Sequence, residues 1–468
     1  MHLCRMHSSL SGSYSEPARM PCDIERMSVN PMKIKPFILF LAMASNSAQA
    51  TDLLDIFHSA QRNDPVIAAA RAAQQAGAEK LPQGRSLLLP TVSLNANSTA
   101  NNQNVQYLGF PLSVINGSYR YNSNGYGVTM VQPLYREQNW VAYTEAQLQV
   151  AQTDAQLRIA EQDLVLRTAQ AYFDVLMAEN DVELAEAQKA AIDEQLAQAK
   201  RNFEVGTTTI TDTNEAQARH DQVYSQQIAA QNSLEIKRSA LQQLINAEPH
   251  DLKPLNTKFK PGMPQPVGMD KWVGNAEINN PQLAIAHAGV ELAEKEVEKN
   301  RAGHYPTVDL VANYSNSNMG GSMASDITTK SLGVQLNMPI FEGGMIRSKS
   351  REAVANRDRA RQDLENSRRS VDQLARQSYL GVITGVSQVE ALQQALVSSQ
   401  TALDSSKLGQ EVGVRTNLDV LNTQQQLYAT RRDLYRAEYD YLLSELRLKA
   451  AVGELDEAEL AKINQAFH

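Results

Sequence analysis

Leu89-Pro90-Thr91-Val92-Ser93-Leu94 returns 216 residues later as Tyr305-Pro306-Thr307-Val308-Asp309-Leu310. Asp64-Pro65 returns as Asn280-Pro281 at that same offset. Further on, Gln132-Pro133-Leu134-Tyr135 returns as Met338-Pro339-Ile340-Phe341 at an offset of 206. Val205-Gly206 returns as Val412-Gly413, and Asp212 as Asp419, both at 207. Matches in one fixed order mark an internal duplication. The drop in offset puts a longer loop between the paired strands of the first copy. Each copy has the same grammar: short helix, two strands, one very long helix, a tight turn, a second helix. The Pro-rich stretch 249–266 between the copies reads as an irregular linker. The expected division is 51–246 for the first copy, with strands in 88–135 and a turn near 206. A linker, 247–280, follows. The second copy is 281–452, with strands in 305–341 and a turn near 413, and 453–468 is a C-terminal segment.

The strand segments alternate with period two. Leu332, Val334, Leu336, Met338 and Ile340 share one face, and Ser331, Gly333, Gln335 and Asn337 the other. Tyr126, Val128, Met130 and Leu134 form the matching apolar face in the first copy, interrupted by Gln132. Val92, Leu94 and Ala96, and then Val308, Leu310, Ala312 and Tyr314, alternate in the same way. A soluble sheet packed on a core gives such alternation too. Here the polar faces carry almost no charge, which points instead to a membrane barrel, apolar outside and polar inside. Four strands are too few to close a barrel. An open edge in lipid would leave backbone groups unpaired. Several chains must therefore contribute to one barrel, and periodicity alone does not fix how many.

From about Trp140 to Val205 there is neither Pro nor Gly, and a continuous helix there would be roughly 100 Å long. Ile346 to about Gly409 makes a second helix of similar length, interrupted only by Gly381 and Gly385. In the last helix Val420, Leu427, Leu434, Tyr441 and Leu448 recur every seven residues. Leu421, Tyr428, Tyr435 and Leu442 do so one position along. Two adjacent heptad stripes offer neighbours on two sides, as in a ring of helices around a channel. An ordinary bundle with a filled centre is the alternative.

The N-terminal region reads as a leader. Lys33 and Lys35 precede an apolar run, Phe37 to Ala44, and Ala48-Gln49-Ala50 is a small-residue cleavage site. Together these make a secretory signal peptide over 32–50, too short for a permanent span. Residues 1–31 then read as an over-extended start, with Met32 as the initiator. Both cysteines, Cys4 and Cys22, fall in that leader, so the segment from Thr51 holds neither disulfide nor thiolate chemistry. No run of 18 apolar residues follows Ala50, so any membrane insertion is expected through strands. The net charge of -8 and the absence of basic patches argue against nucleic acid. No catalytic, cofactor or metal signature is present. His58, His220, His250, His287, His304 and His468 lack ligand spacing and are expected at the surface.

The two inter-helical turns hold the candidate functional residues. Gly206 and Gly413 follow the long helices as left-handed C-caps would. Thr211 or Asp212, and Thr416, are placed to cap the next helices, and Asp212 with Glu215 has capping-box spacing.

At this point the chain resembles the TolC family of outer-membrane factors over residues 51–460. The resemblance rests on the duplication, Leu88-Leu89-Pro90, Pro339-Ile340-Phe341-Glu342-Gly343-Gly344, both Val-Gly turns, Ala171-Tyr172-Phe173, Asp419-Val420-Leu421 and Tyr439-Asp440-Tyr441-Leu442. It implies a mainly α protein with a membrane β-barrel. Three protomers would share twelve strands, and long coiled-coil helices would form a periplasmic tunnel. It further implies an exit duct for small toxic molecules or type I secreted proteins. A periplasmic adaptor and an inner-membrane transporter of the ABC, RND or MFS type would dock at the tip and open it. By resemblance Arg415 matches the family's latch arginine, bonding across to Thr211 and Asp212. Asp419 matches the acidic residue that rings the constriction. Where the family has a second acidic ring this chain has Asn422, and where it has a latch tyrosine this chain has Gln410. Those departures leave cation selectivity and the closed-state lock open. A periplasmic coiled-coil adaptor or scaffold is the competing reading, and it accounts for the helices but not for the strands.

Overall fold

The computed structural model describes residues 51–106, 108, 117–249, 251–256, 259–321 and 324–467. The leader assignments, including the cleavage residues Ala48 and Ala50, and also His250 and His468, lie outside them.

The first copy opens with three short helices, α1 (Leu53–Asn63), α2 (Pro65–Ala78) and α3 (Lys80–Ser86). Strands β1 (Thr91–Val105) and β2 (Gly117–Tyr135) follow, then α4 (Glu137–Glu204) and α5 (Ile210–Ile245). The second copy runs α6 (Met269–Asn279), α7 (Pro281–Arg301), β3 (Thr307–Met319), β4 (Ser325–Asn337), α8 (Met345–Glu411) and α9 (Asn417–Ala451), and α10 (Glu457–Asn464) ends it. The single short helix expected ahead of each strand pair is thus several. Pro65 and Pro281 break the segment and restart it as the first residues of new helices, capped by Asp64 and Asn280. α4 has 68 residues and α8 has 67, each about 100 Å long. α8 runs straight through Gly385, where a Cβ would lie 3.3 Å from the Tyr441 ring, so the absent side chain lets α9 approach closely.

The strands form one antiparallel sheet in the order β1-β2-β3-β4. Its register aligns the alternation of all four. Leu94 lies beside Val128 and Val128 beside Tyr314; Val92 lies beside Met130, then Ala312, then Leu332. The polar rows run Ser93, Thr129, Asn313 and Ser331, and then Asn95, Gly127, Ser315 and Thr329. A one-residue slip of any strand would mix the two faces. The apolar face is bare: Leu94 is 72% and Leu332 73% exposed. The interruption at Gln132 has a local cause. The register shifts between Pro133 and Tyr135, and the Gln132 amide turns in to donate to the carbonyls of Leu88 and Pro133. The polar face carries one buried charge at its helical end. Asp309 accepts from Arg136 Nε at 2.8 Å and Nη2 at 2.7 Å, a two-pronged pair that ties β3 to the residue capping α4.

The main core lies midway along the helices. Tyr172 and Phe173 of α4 meet Tyr439 of α9 and Phe467 at ring separations of 5.6–5.8 Å. The linker wraps this point: Thr51 pairs with Leu252, and Leu255 with Phe467. The Tyr172 hydroxyl donates to the Lys253 carbonyl at 3.0 Å. On α9 the whole first stripe (Val420, Leu427, Leu434, Tyr441, Leu448) is buried, whereas Tyr428 and Tyr435 of the second are only half-buried. Among the described residues no helix is long and apolar enough to cross a membrane.

Candidate functional site

The far ends of the two hairpins, α4–α5 and α8–α9, are built alike. Gly206 (φ 75°) and Gly413 (φ 82°) take the left-handed conformation that ends each long helix. The Thr207 amide then donates to the Asn202 carbonyl at 2.8 Å, and the Val414 amide to that of Gly409 at 2.9 Å. Each following helix starts with a capping box. Thr416 Oγ1 accepts from the Asp419 amide at 3.2 Å, and Asp419 Oδ2 accepts from the Thr416 amide at 3.0 Å. In the first turn the cap is Thr209, with Asp212 in the reciprocal position. This corrects the expectation that Thr211 or Asp212 caps α5 and that Asp212 and Glu215 form the box. The duplication carried the signal: Thr416 less the offset of 207 is Thr209.

These bonds fix the charge of both acids. The hydroxyls of Thr208 and Thr209 and the Thr209 amide hold the Asp212 carboxyl below the usual carboxylate range. The Thr416 amide and hydroxyl do the same for Asp419, helped by nearby Arg415. Both are therefore anions at neutral pH. The three hydrogen bonds that the Asp212 carboxylate accepts from Thr208 and Thr209 all fall on Oδ2. The Arg415 guanidinium lies 3.9 Å from Asp419 Oδ1 and is well exposed. Within this single chain its ion pair is with Asp419, and it is not joined to Thr211 or Asp212. Its stem folds over Gly409, where a Cβ would sit 2.7 Å from Arg415 Cγ.

Gln410 donates to Asn417 Oδ1 at 3.3 Å, so it bridges its own turn. Asn422 accepts from Arg219 of α5 at 3.0 Å, a residue that spacing did not single out. Val205, Val412 and Val414 stand out from the turns at 66–76% exposure. His220 sits between Asp193 and Asp221, and His58 against Glu457. Among the described residues no group of three or more His, Cys, Asp or Glu is placed to hold a metal ion. The geometry therefore offers a charged, apolar-rimmed tip and a bare apolar sheet, joined by helices about 100 Å long.

The family described as outer membrane efflux protein matches residues 56–247 and, a second time, 272–454. The chain belongs to that family. Its two matched segments correspond to the two copies of the duplication. It is 32% identical to the outer membrane protein TolC of Escherichia coli (strain K12), over 93% of this chain and 89% of that protein. It is also 32% identical to the alkaline protease secretion protein AprF of Pseudomonas aeruginosa, over 92% of this chain and 90% of the relative. In fold it is similar to the Campylobacter jejuni CmeC outer membrane channel, with a TM-score of 0.75 and 16% identity, covering 88% of this chain and 89% of the other. The protein is thus an outer-membrane exit duct with a periplasmic extension, from a family of transport channels that serves efflux and type I secretion. The scaffold reading falls, because the bare sheet is the membrane part of a channel.

Proposed function

We propose that three copies of this chain assemble into one duct, each lending four strands to a twelve-stranded barrel and two hairpins to the tunnel. The observation that carries this is the sheet itself. Among the described residues β1 and β4 each have a free edge, and the apolar rows run across all four strands. In lipid both edges must be paired. Tyr428 and Tyr435, the half-buried members of the second stripe of α9, support the same reading, since they offer a face for a neighbouring helix.

At the tip, the latch is a contact between copies. Asp212 commits Oδ2 to its own capping box, and Oδ1 is left for a guanidinium arriving from the next subunit's turn. Arg415 is exposed and held only loosely by Asp419. Charge-assisted bonds of that kind are firm, yet a docking protein can exchange them. Asp419, one per subunit, lines the constriction and favours cations. Gln410 reinforces its own turn. A periplasmic adaptor and an inner-membrane transporter of the ABC, RND or MFS class dock on the turns around Gly206 and Gly413, where the exposed valines give them an apolar footing. The duct takes small toxic molecules or secreted proteins from those transporters, and it performs no chemistry and holds no cofactor itself.

The test has two parts. Purified from outer-membrane fractions, the protein should migrate as a heat-modifiable trimer and form channels in planar bilayers. A freely soluble monomer, stable without detergent, would overturn the assembly. Deleting the gene and profiling toxin sensitivity beside the secretome then assigns the cargo.

A further inference from the structure

Near the tip, one side chain joins the two hairpins directly between α5 and α9. Arg219 Nη2 donates to Asn422 Oδ1 at 3.0 Å, and its Nη1 to Gln425 Oε1 at 2.8 Å. Nη1 also reaches Gln222 Oε1 on its own helix at 3.2 Å. Among the described residues these are the side-chain hydrogen bonds that run from α5 to α9. A small apolar plug of Ile192, Val223 and Leu421 lies at the same level, one residue from each of α4, α5 and α9. From α4, Gln195 donates to Gln424 Oε1 at 2.8 Å. So α9 rests on the first hairpin through one plug and two polar ties, well away from the main core.

The chemistry of the fork matters. Both acceptors on α9 are neutral amides, so the tie is directional but is no ion pair. Arg219 is only half-buried, so its charge returns to water at little cost when the tie breaks. Such a contact holds the two hairpins together without locking them. It also gives Asn422 a task that its missing charge does not explain, that of receiving the fork.

We propose that Arg219 is a clasp that keeps the second hairpin of each subunit seated on the first, and that it sets how readily the tip opens. This rests on the channel reading. It is separate from the Arg415 contact, which joins different subunits, whereas the clasp acts within one.

The test is conductance in planar bilayers of the full mature protein. Arg219→Gln removes the charge and the fork. Arg219→Lys keeps the charge but loses the paired geometry. Asn422→Ala and Gln425→Ala remove the acceptors and leave Arg219 in place. Each should raise the open fraction, with Arg219→Gln shifting the closed-to-open ratio roughly tenfold per subunit. Because Arg219→Lys preserves pore charge, a rise there reports the lost fork and not altered ion attraction. Asn422→Asp turns the tie into an ion pair and should lower the open fraction below wild type. Wild-type conductance in both Arg219 variants overturns the clasp while leaving the channel intact. If Arg219→Gln fails to assemble, the acceptor variants decide in the same way. Absence of any channel from the wild-type protein would overturn the channel reading itself.

Discussion

Replacing Asp309 by Ala should loosen the joint between sheet and helices. The carboxylate sits on the polar face of β3, with 11% of its side chain exposed, and it is held by the two-pronged bond from Arg136. Arg136 itself keeps 38% of its side chain in water. Breaking a fully buried pair by removing one partner costs about 3–5 kcal/mol, because the other charge is stranded. Solvent reaches Arg136, so part of that cost is screened, leaving ~1–3 kcal/mol per subunit. Asp309→Asn keeps the shape and one acceptor and should fall between Ala and wild type. Arg136→Ala with Asp309→Ala removes both charges together and should cost less than the two single losses added. The assay is the temperature at which the assembled, detergent-resistant form dissociates, read beside a urea midpoint. If Asp309→Ala and Arg136→Ala each lie within about 0.5 kcal/mol of wild type, or if the double variant is simply additive, the pair does not hold the joint.

Three further outcomes follow from the same geometry. Arg415→Ser should raise single-channel conductance, and Asp419→Ala should weaken block by multivalent cations; unchanged bilayer recordings in both would remove the gate assignment. Thr209→Ala and Thr416→Ala each delete a capping box and should cost about 1 kcal/mol, seen as faster amide exchange confined to the first turns of α5 and α9. Burial pushes the Glu438 carboxyl in the periplasmic helix α9 up to about 7, with Gln393 as its hydrogen-bond partner. A raised carboxyl loses stability as pH climbs from its unfolded value of about 4.3 to 7, with no further loss above. Glu438→Gln should then gain ~1–2 kcal/mol at pH 8, after allowing for partial exposure, and almost nothing at pH 4; equal gains at both would show that the carboxyl is not perturbed.

Much of the fold was readable because two periodicities carry it. The period of two fixes which face of each strand is apolar, and pairing then aligns those faces, as Leu94, Val128 and Tyr314 do. The heptads on α9 likewise named its buried stripe. Helix ends were less readable. Thr207, Thr208, Thr209 and Thr211 are all chemically able to cap α5, and no local pattern separates them; only the duplication's offset from Thr416 singles out Thr209. Long-range polar contacts were not readable at all. Arg219 meets Asn422 across 203 residues, and no local pattern announces a partner supplied by the supercoil of separate helices. For the same reason nothing near Arg136 in the sequence announces its pairing with Asp309, 173 residues away.

The free edges of β1 and β4 have a consequence for how the duct comes into being. One subunit has two of them. Joining a second subunit pairs one edge from each, yet the pair still ends in two unpaired rims. In the proposed trimer only the third arrival removes both remaining rims at once. Most of the reward for closure therefore comes in a single last step, so half-built rings should be scarce and short-lived. Newly exported chains must wait as lone, sticky sheets until enough sisters are present, which makes local concentration, or an escort that shields those rims, the true control on how many ducts a cell installs.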